Sequence, residues 1–123
     1  MKNKNRFIKG SVGDFGDSKG WFIGQFMDKY GRPDLKVEEV EVCWKVLDSS
    51  YSDPEHYHKV GTEIQVVVSG WCELEIDSEF VKLERKDFLV VYPYTKLKVL
   101  NFEVGTEIVL TKFPSAPDDK FNV

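Results

Sequence analysis

Residues His56–Gly70 read HYHKVGTEIQVVVSG. Two histidines stand at i and i+2, a glutamate follows after a short interval, and a glycine closes a run rich in β-branched residues. On a strand, the i, i+2 spacing turns both imidazoles to one face and Tyr57 to the other. A turn through Lys59–Thr62, with Gly61 in it, brings Glu63 back beside the rings at the start of the next strand. Two neutral imidazole nitrogens and a carboxylate oxygen then converge, a donor set suited to a first-row divalent metal. Taken alone, a His-x-His pair on a half-exposed strand is also ordinary polar surface, and Glu63 is one of 21 acidic residues.

The flanking sequence is built from short strands. Upstream, Val37–Leu47 alternates, with Val40, Val42, Trp44 and Val46 on one face and Glu39, Glu41, Cys43 and Lys45 on the other, the pattern of a half-buried strand. Downstream come Glu63–Ser69, Trp71–Asp77, Glu79–Leu83, Phe88–Tyr92, Lys96–Phe102 and Thr106–Phe113, separated by Gly70 and by polar breaks. Phe88–Tyr92 (FLVVY) is apolar on both faces, so it is expected to be covered on both sides, by a second sheet or by another subunit. No long stretch has a 3.6-residue period. Many short strands at regular spacing predict an all-β sandwich or barrel. The first 35 residues carry six glycines and a proline, read as turns between short strands, with Trp21–Met27 as one strand. The polar tail after Pro114 is expected to pack loosely.

A chain of 123 residues, 41% apolar and 31% charged, is expected to form one soluble globular domain. A net charge of -4 argues against a nucleic-acid partner, whose phosphates need a basic footprint. Lys2, Lys4, Arg6 and Lys9 make a basic start that reads as a solvated terminus. No run reaches the roughly 20 apolar residues that a spanning helix needs, and no secretory signal is evident, so a cytoplasmic location without membrane association is expected. Cys43 and Cys72 form no CxxC pair; two reduced thiols or a single bridge both fit.

The residues His56, His58, Glu63 and Gly70 match every position of the first motif of the cupin superfamily, HxH-x3,4-E-x6-G, and the chain resembles that superfamily over about residues 37–113. The glycine usual before the first histidine is Ser50 here. The resemblance implies a double-stranded β-helix, a jelly-roll cupin barrel, as a single domain 1–123 with an N-terminal extension 1–36 and a tail 114–123. It also implies a divalent transition metal (Fe, Mn, Ni or Zn) in the lumen, held by His56, His58 and Glu63. The second motif, G-x5-P-x-G-x2-H-x3-N, is eroded. In the best register Lys86 and Tyr94 replace its glycines, Tyr92 its proline and Leu97 its histidine, and only Asn101 keeps its place. With Leu97 unable to coordinate, Tyr94 and Asn101 are the candidates to complete the cofactor site. Tyr57, Tyr92, Tyr94 and Trp71 line a small-molecule pocket or belong to the core.

The function that the resemblance implies is a metal-dependent enzyme of isomerase or dioxygenase type, acting on a small polar molecule resembling a sugar or a keto acid. The alternatives are a non-catalytic cupin that binds a small ligand or serves as an accessory subunit, and a metal-independent isomerase of nucleotide-linked sugars. A homodimer is expected. The string VGTEI recurs at Val104–Ile108, but no histidine precedes the second copy. Glu107 is therefore expected to face solvent or to add one acid to the lumen, and the repeat is read as one turn-to-strand solution used twice.

Overall fold

The structure is a computed structural model and describes residues 6–123, so Lys2 and Lys4 lie outside the described residues. Ten strands form two five-stranded sheets: β1 (Trp21–Ile23), β2 (Glu41–Leu47), β3 (His56–Tyr57), β4 (Thr62–Ser69), β5 (Trp71–Ile76), β6 (Glu79–Glu84), β7 (Phe88–Val91), β8 (Leu97–Phe102), β9 (Thr106–Phe113) and β10 (Phe121–Asn122). One sheet has the order β1-β2-β9-β4-β7 and the other β10-β3-β8-β5-β6, with every pairing antiparallel. Apart from the β1–β2 and β5–β6 pairs, neighbours in sequence alternate between the two sheets, as in a jelly roll. The expected strand over Trp21–Met27 is shorter. It ends at Ile23, and Met27–Tyr30 turns as a 3-10 helix whose Met27 is fully buried.

Leu47, Val67, Cys72, Leu74, Leu83, Leu97 and Ile108 pack between the sheets and form the apolar floor of the barrel. The other half of the interior is polar. The β2 alternation yields a strand, but its inward face is the one bearing Glu41, Cys43, Lys45 and Leu47, while Val42, Trp44 and Val46 face outward. Glu41 is 1% exposed and is compensated by Lys112 Nζ at 3.4 Å and by the Ser115 hydroxyl, which donates to it at 3.2 Å. A buried carboxylate without such partners costs several kcal/mol, so the pairing is a condition of that orientation. Both cysteines are free and buried, and burial pushes each thiol up to about 11, which leaves them inert.

The tail does not pack loosely. Strand β10 pairs with β3, and Ser115 and Asp119 are buried. Its polar composition comes from side chains that bond inward to backbone groups rather than to water.

The two VGTEI copies lie on opposite faces. Glu63 points inward from β4, whereas in β9 the fully buried Thr106 points inward and turns Glu107 outward, where it accepts from Trp44 Nε1 at 2.8 Å. A shift of one residue in where the strand meets the core reverses every side chain. Thr106 also explains the glycine that ends the first stretch. Gly70 sits at φ 82°, and a Cβ there would lie 2.3 Å from Thr106 Oγ1. Only glycine permits that approach.

Candidate functional site

The imidazoles of His56 and His58 both point into the barrel mouth and are buried, with Tyr57 facing the other way, as the spacing predicts. Glu63 enters from β4 and is equally buried. All three line one cavity of about 710 Å³. His58 Nε2 lies 3.6 Å from Glu63 Oε1, too long for a hydrogen bond but close enough for an electrostatic contact when the ring is protonated. Glu63 Oε2 accepts from Gln65 Nε2 at 2.7 Å. The rings of His56 and His58 stand edge to face with centroids 5.3 Å apart.

Backbone carbonyls fix the orientation of both rings. His56 Nδ1 faces the carbonyl of Pro54 at 3.0 Å, and His58 Nδ1 faces the carbonyl of Asp119. A carbonyl only accepts, so Nδ1 carries a hydrogen in each ring and, in the neutral form, Nε2 carries the lone pair. Among the described residues, His58 Nε2 is the one buried side-chain polar atom without a hydrogen-bond partner. Burial depresses the pKa of His56, outweighing the nearby carbonyl and Asp53. The Glu63 carboxylate raises that of His58 against the opposing effect of burial. Burial alone would raise the Glu63 carboxyl, but His58 and Gln65 more than offset this and hold it below its ordinary value.

Asp119 holds the turn that carries His58. Its carboxylate accepts from the backbone N–H of Lys59 at 2.8 Å, Val60 at 3.0 Å and Gly61 at 2.7 Å. Nothing local in the polar tail signals this role, because the acceptor is some sixty residues from the donors. Gln65, in contrast, was legible as the next inward position after Glu63. The remaining polar lining is a chain of bonds. Lys45 Nζ donates to Tyr51 Oη at 2.9 Å, Tyr51 Oη donates to Asp53 Oδ2 at 3.1 Å, and Asp53 Oδ1 pairs with Lys120 at 2.7 Å and approaches His56 Nδ1 at 3.5 Å.

Leu97 stands directly opposite His56 in the β3–β8 pair, is buried, and lines the inner end of the cavity with His56 and Glu63. Tyr94 and Asn101 are not brought to the cavity. Tyr94 is 66% exposed and stacks on the outward-facing Tyr57 at 6.1 Å. Asn101 is exposed, and its amide oxygen accepts from the Phe102 N–H. A separate apolar cavity of about 510 Å³ lies among Phe7, Phe15, Phe22 and Leu35, remote from the histidines.

No family model matches the chain, and no curated protein matches it. Solved structures do match. KdgF from Halomonas sp. superposes with a TM-score of 0.61 at 21% identity, over 67% of this chain and 74% of that one. A cupin protein from Bacteroides fragilis gives 0.66 at 19% identity, over 91% of this chain and 87% of its own. The chain has a cupin fold. Oxalate decarboxylase from Bacillus subtilis gives 0.63 at 16% identity, over 75% of this chain but only 26% of that longer one.

Two residues of the expected second motif have left-handed backbone. Lys86 has φ 76° and Tyr94 φ 66°, left-handed conformations at the two positions where the motif has glycine. A side chain there is strained by about 1 kcal/mol or more. Lys86 is exposed, so Lys86→Gly loses no packing and is expected to stabilise the chain by about 0.5–1 kcal/mol. Thermal denaturation checks this, and an unchanged or lower midpoint contradicts the strain.

Proposed function

We propose that this chain is a metal-dependent cupin enzyme that acts on a small polar molecule in the barrel cavity, with His56, His58 and Glu63 as the metal ligands. The observation that carries the reading is the state of the two histidines. Each commits Nδ1 to a backbone carbonyl and keeps Nε2 for the cavity, and the buried Nε2 of His58 has no hydrogen-bond partner. Metal-ligating histidines are oriented by such a bond on the other nitrogen. Two imidazoles holding one ion at bonds of about 2.1 Å and a tetrahedral angle place their centroids roughly 5 Å apart; these stand at 5.3 Å. As the side chains stand, no trio of His, Cys, Asp and Glu is close enough to enclose an ion among the described residues, so loading requires the Glu63 carboxylate to turn from Gln65 toward the rings.

A divalent metal there supplies Lewis-acid chemistry to a substrate oxygen. The chain's own groups set the rest. Pro54 and Asp119 carbonyls hold the rings, Gln65 holds Glu63 in its ionised form, and Leu97, opposite His56, offers no ligand atom, which would leave coordination positions for substrate or water. Keto-acid-like or sugar-like molecules fit a cavity lined by lysines and hydroxyl groups. The test is metal analysis of the purified protein, followed by titration of chelated protein with Mn2+, Fe2+, Ni2+ and Zn2+. About one ion per chain is expected. Failure to retain or rebind any of the four overturns the reading.

The outer face of the first sheet supports a homodimer as the working form. Cross-strand rows Val42–Thr111–Ile64–Val90 and Trp44–Val109–Val66–Phe88 run across four strands. Val46 is 49% exposed and Phe88 69%. Neither row carries a charged side chain, and the flanking Glu107 is held by the Trp44 indole N–H, so a second copy can meet these rows without like-charge repulsion between them. Soluble monomers rarely leave so broad an apolar face in water. Sedimentation at micromolar concentration is expected to show a dimer for the wild type and a monomer for Val66→Glu. A wild-type monomer overturns the interface.

A further inference from the structure

Four lysines and three carboxylates line the cavity at the barrel mouth, and Glu41 beside Lys112 brings the carboxylates around it to four. Lys112 is paired with Glu41 and Lys120 with Asp53. Lys19 is exposed at the rim. Lys45 differs from all of these. It comes from the inward face of β2 and lines both the outer cavity and its inner end, beside His56 and Glu63. No carboxylate pairs with its ammonium among the described residues. Its protein partner is the Tyr51 hydroxyl at 2.9 Å, with the Tyr51 ring beneath it at 4.6 Å. The phenol stays neutral, because burial and the neighbouring Asp53 push its pKa up, and its own hydrogen goes to Asp53. An ammonium has three hydrogens to donate, and only one is used here.

A half-buried cation without an anion is costly, and removing or compensating the charge relieves the cost. Burial accordingly depresses the Lys45 pKa, against the raising influence of Asp53 and Glu63. We propose that Lys45 is the counter-cation for a carboxylate group of the substrate, bound in the cavity with its remainder directed toward His56, His58 and Glu63. This rests on the reading of the cavity as a small-molecule site and adds the substrate class, a small organic monoanion. A phosphate dianion is disfavoured, since Asp53 and Glu63 already occupy the cavity and one uncompensated lysine remains to meet it.

The test uses chelated, metal-free full-length protein, so that its outcome is independent of metal binding. Acetate, pyruvate and gluconate are titrated by NMR and thermal shift, with inorganic phosphate for comparison. At least one of the three carboxylates is expected to bind and raise the wild-type melting midpoint, with phosphate binding at least about 10-fold more weakly. Lys45→Met, close in length and uncharged, is expected to be no less stable than wild type without ligand and to lose at least about 10-fold in carboxylate affinity. Lys98→Met, on the exposed face of β8, keeps wild-type binding. Full carboxylate affinity in Lys45→Met, no binding of any of the three by wild type, or equal loss in Lys98→Met overturns the proposal. Metal retention without carboxylate binding removes this inference alone. Carboxylate binding without metal retention removes only the metalloenzyme.

Discussion

Replacing His58 by alanine is expected to weaken divalent metal binding by at least about 100-fold, since even the groups that merely orient such ligands contribute 10–100-fold. The ring offers a buried nitrogen with no other partner, 3.6 Å from the Glu63 carboxylate. Alanine deletes that donor and leaves Glu63 with Gln65 as its hydrogen-bonding neighbour. It also removes the bond to the Asp119 carbonyl, so a melt must accompany the titration to show that the variant is folded. His56→Ala is the companion variant. Its ring bonds to the Pro54 carbonyl two residues back and otherwise approaches Asp53 nearby in sequence, so its loss disturbs the fold less while removing the second nitrogen. Because imidazoles must shed protons to coordinate, wild-type affinity is expected to fall as pH drops through the imidazole range. Metal affinity unchanged in both variants means that the cavity does not bind metal through its histidines.

Asp119→Ala is expected to cost about 3 kcal/mol of stability at neutral pH and to lower the melting midpoint by roughly 5–15 °C. One carboxylate accepts from three consecutive backbone N–H groups, and alanine leaves those donors without their protein partner in a turn where Gly61 is buried and Lys59 and Val60 are exposed. The effect carries a pH signature. Burial alone would raise the Asp119 pKa, but the three N–H groups outweigh it and hold the folded value below the ordinary one. A depressed carboxylate stabilises the fold above its unfolded value of about 3.9 and loses that contribution as pH falls through its folded pKa. The gap between wild type and Asp119→Ala is therefore expected to be full at pH 7 and to close below about pH 4. A gap that persists undiminished at low pH assigns the loss to packing instead. Metal affinity is expected to fall in parallel, because the turn positions His58.

The strands were legible because period-two alternation is a direct consequence of backbone geometry, and the inward pair His56 and His58 follows from the same parity. Which face of β2 turns inward was not legible. Apolar alternation normally marks the buried side, but a barrel whose interior holds a polar cavity reverses the rule, and Val42, Trp44 and Val46 face outward. Asp119 was hidden because its partners lie in a turn far off in sequence, and a polar tail resembles a frayed one until its acceptors are paired. Tyr94 and Asn101 show a different limit. A motif register places a residue on the chain but says nothing of where its side chain goes, and both turn away from the cavity. Leu97, named by the same register, does line the cavity, since the β3–β8 pairing sets it against His56.

Lys86 and Tyr94 hold, with side chains, torsion angles that glycine adopts without strain. An amino-acid profile that demands glycine at these two sites scores a lysine and a tyrosine as mismatches, whereas a profile written in backbone handedness scores both as hits, eight residues apart and flanking β7. Distant relatives of such a chain are better sought by the sign of φ than by residue identity. A glycine at 86 changes the letter while leaving the curve of the chain as it is.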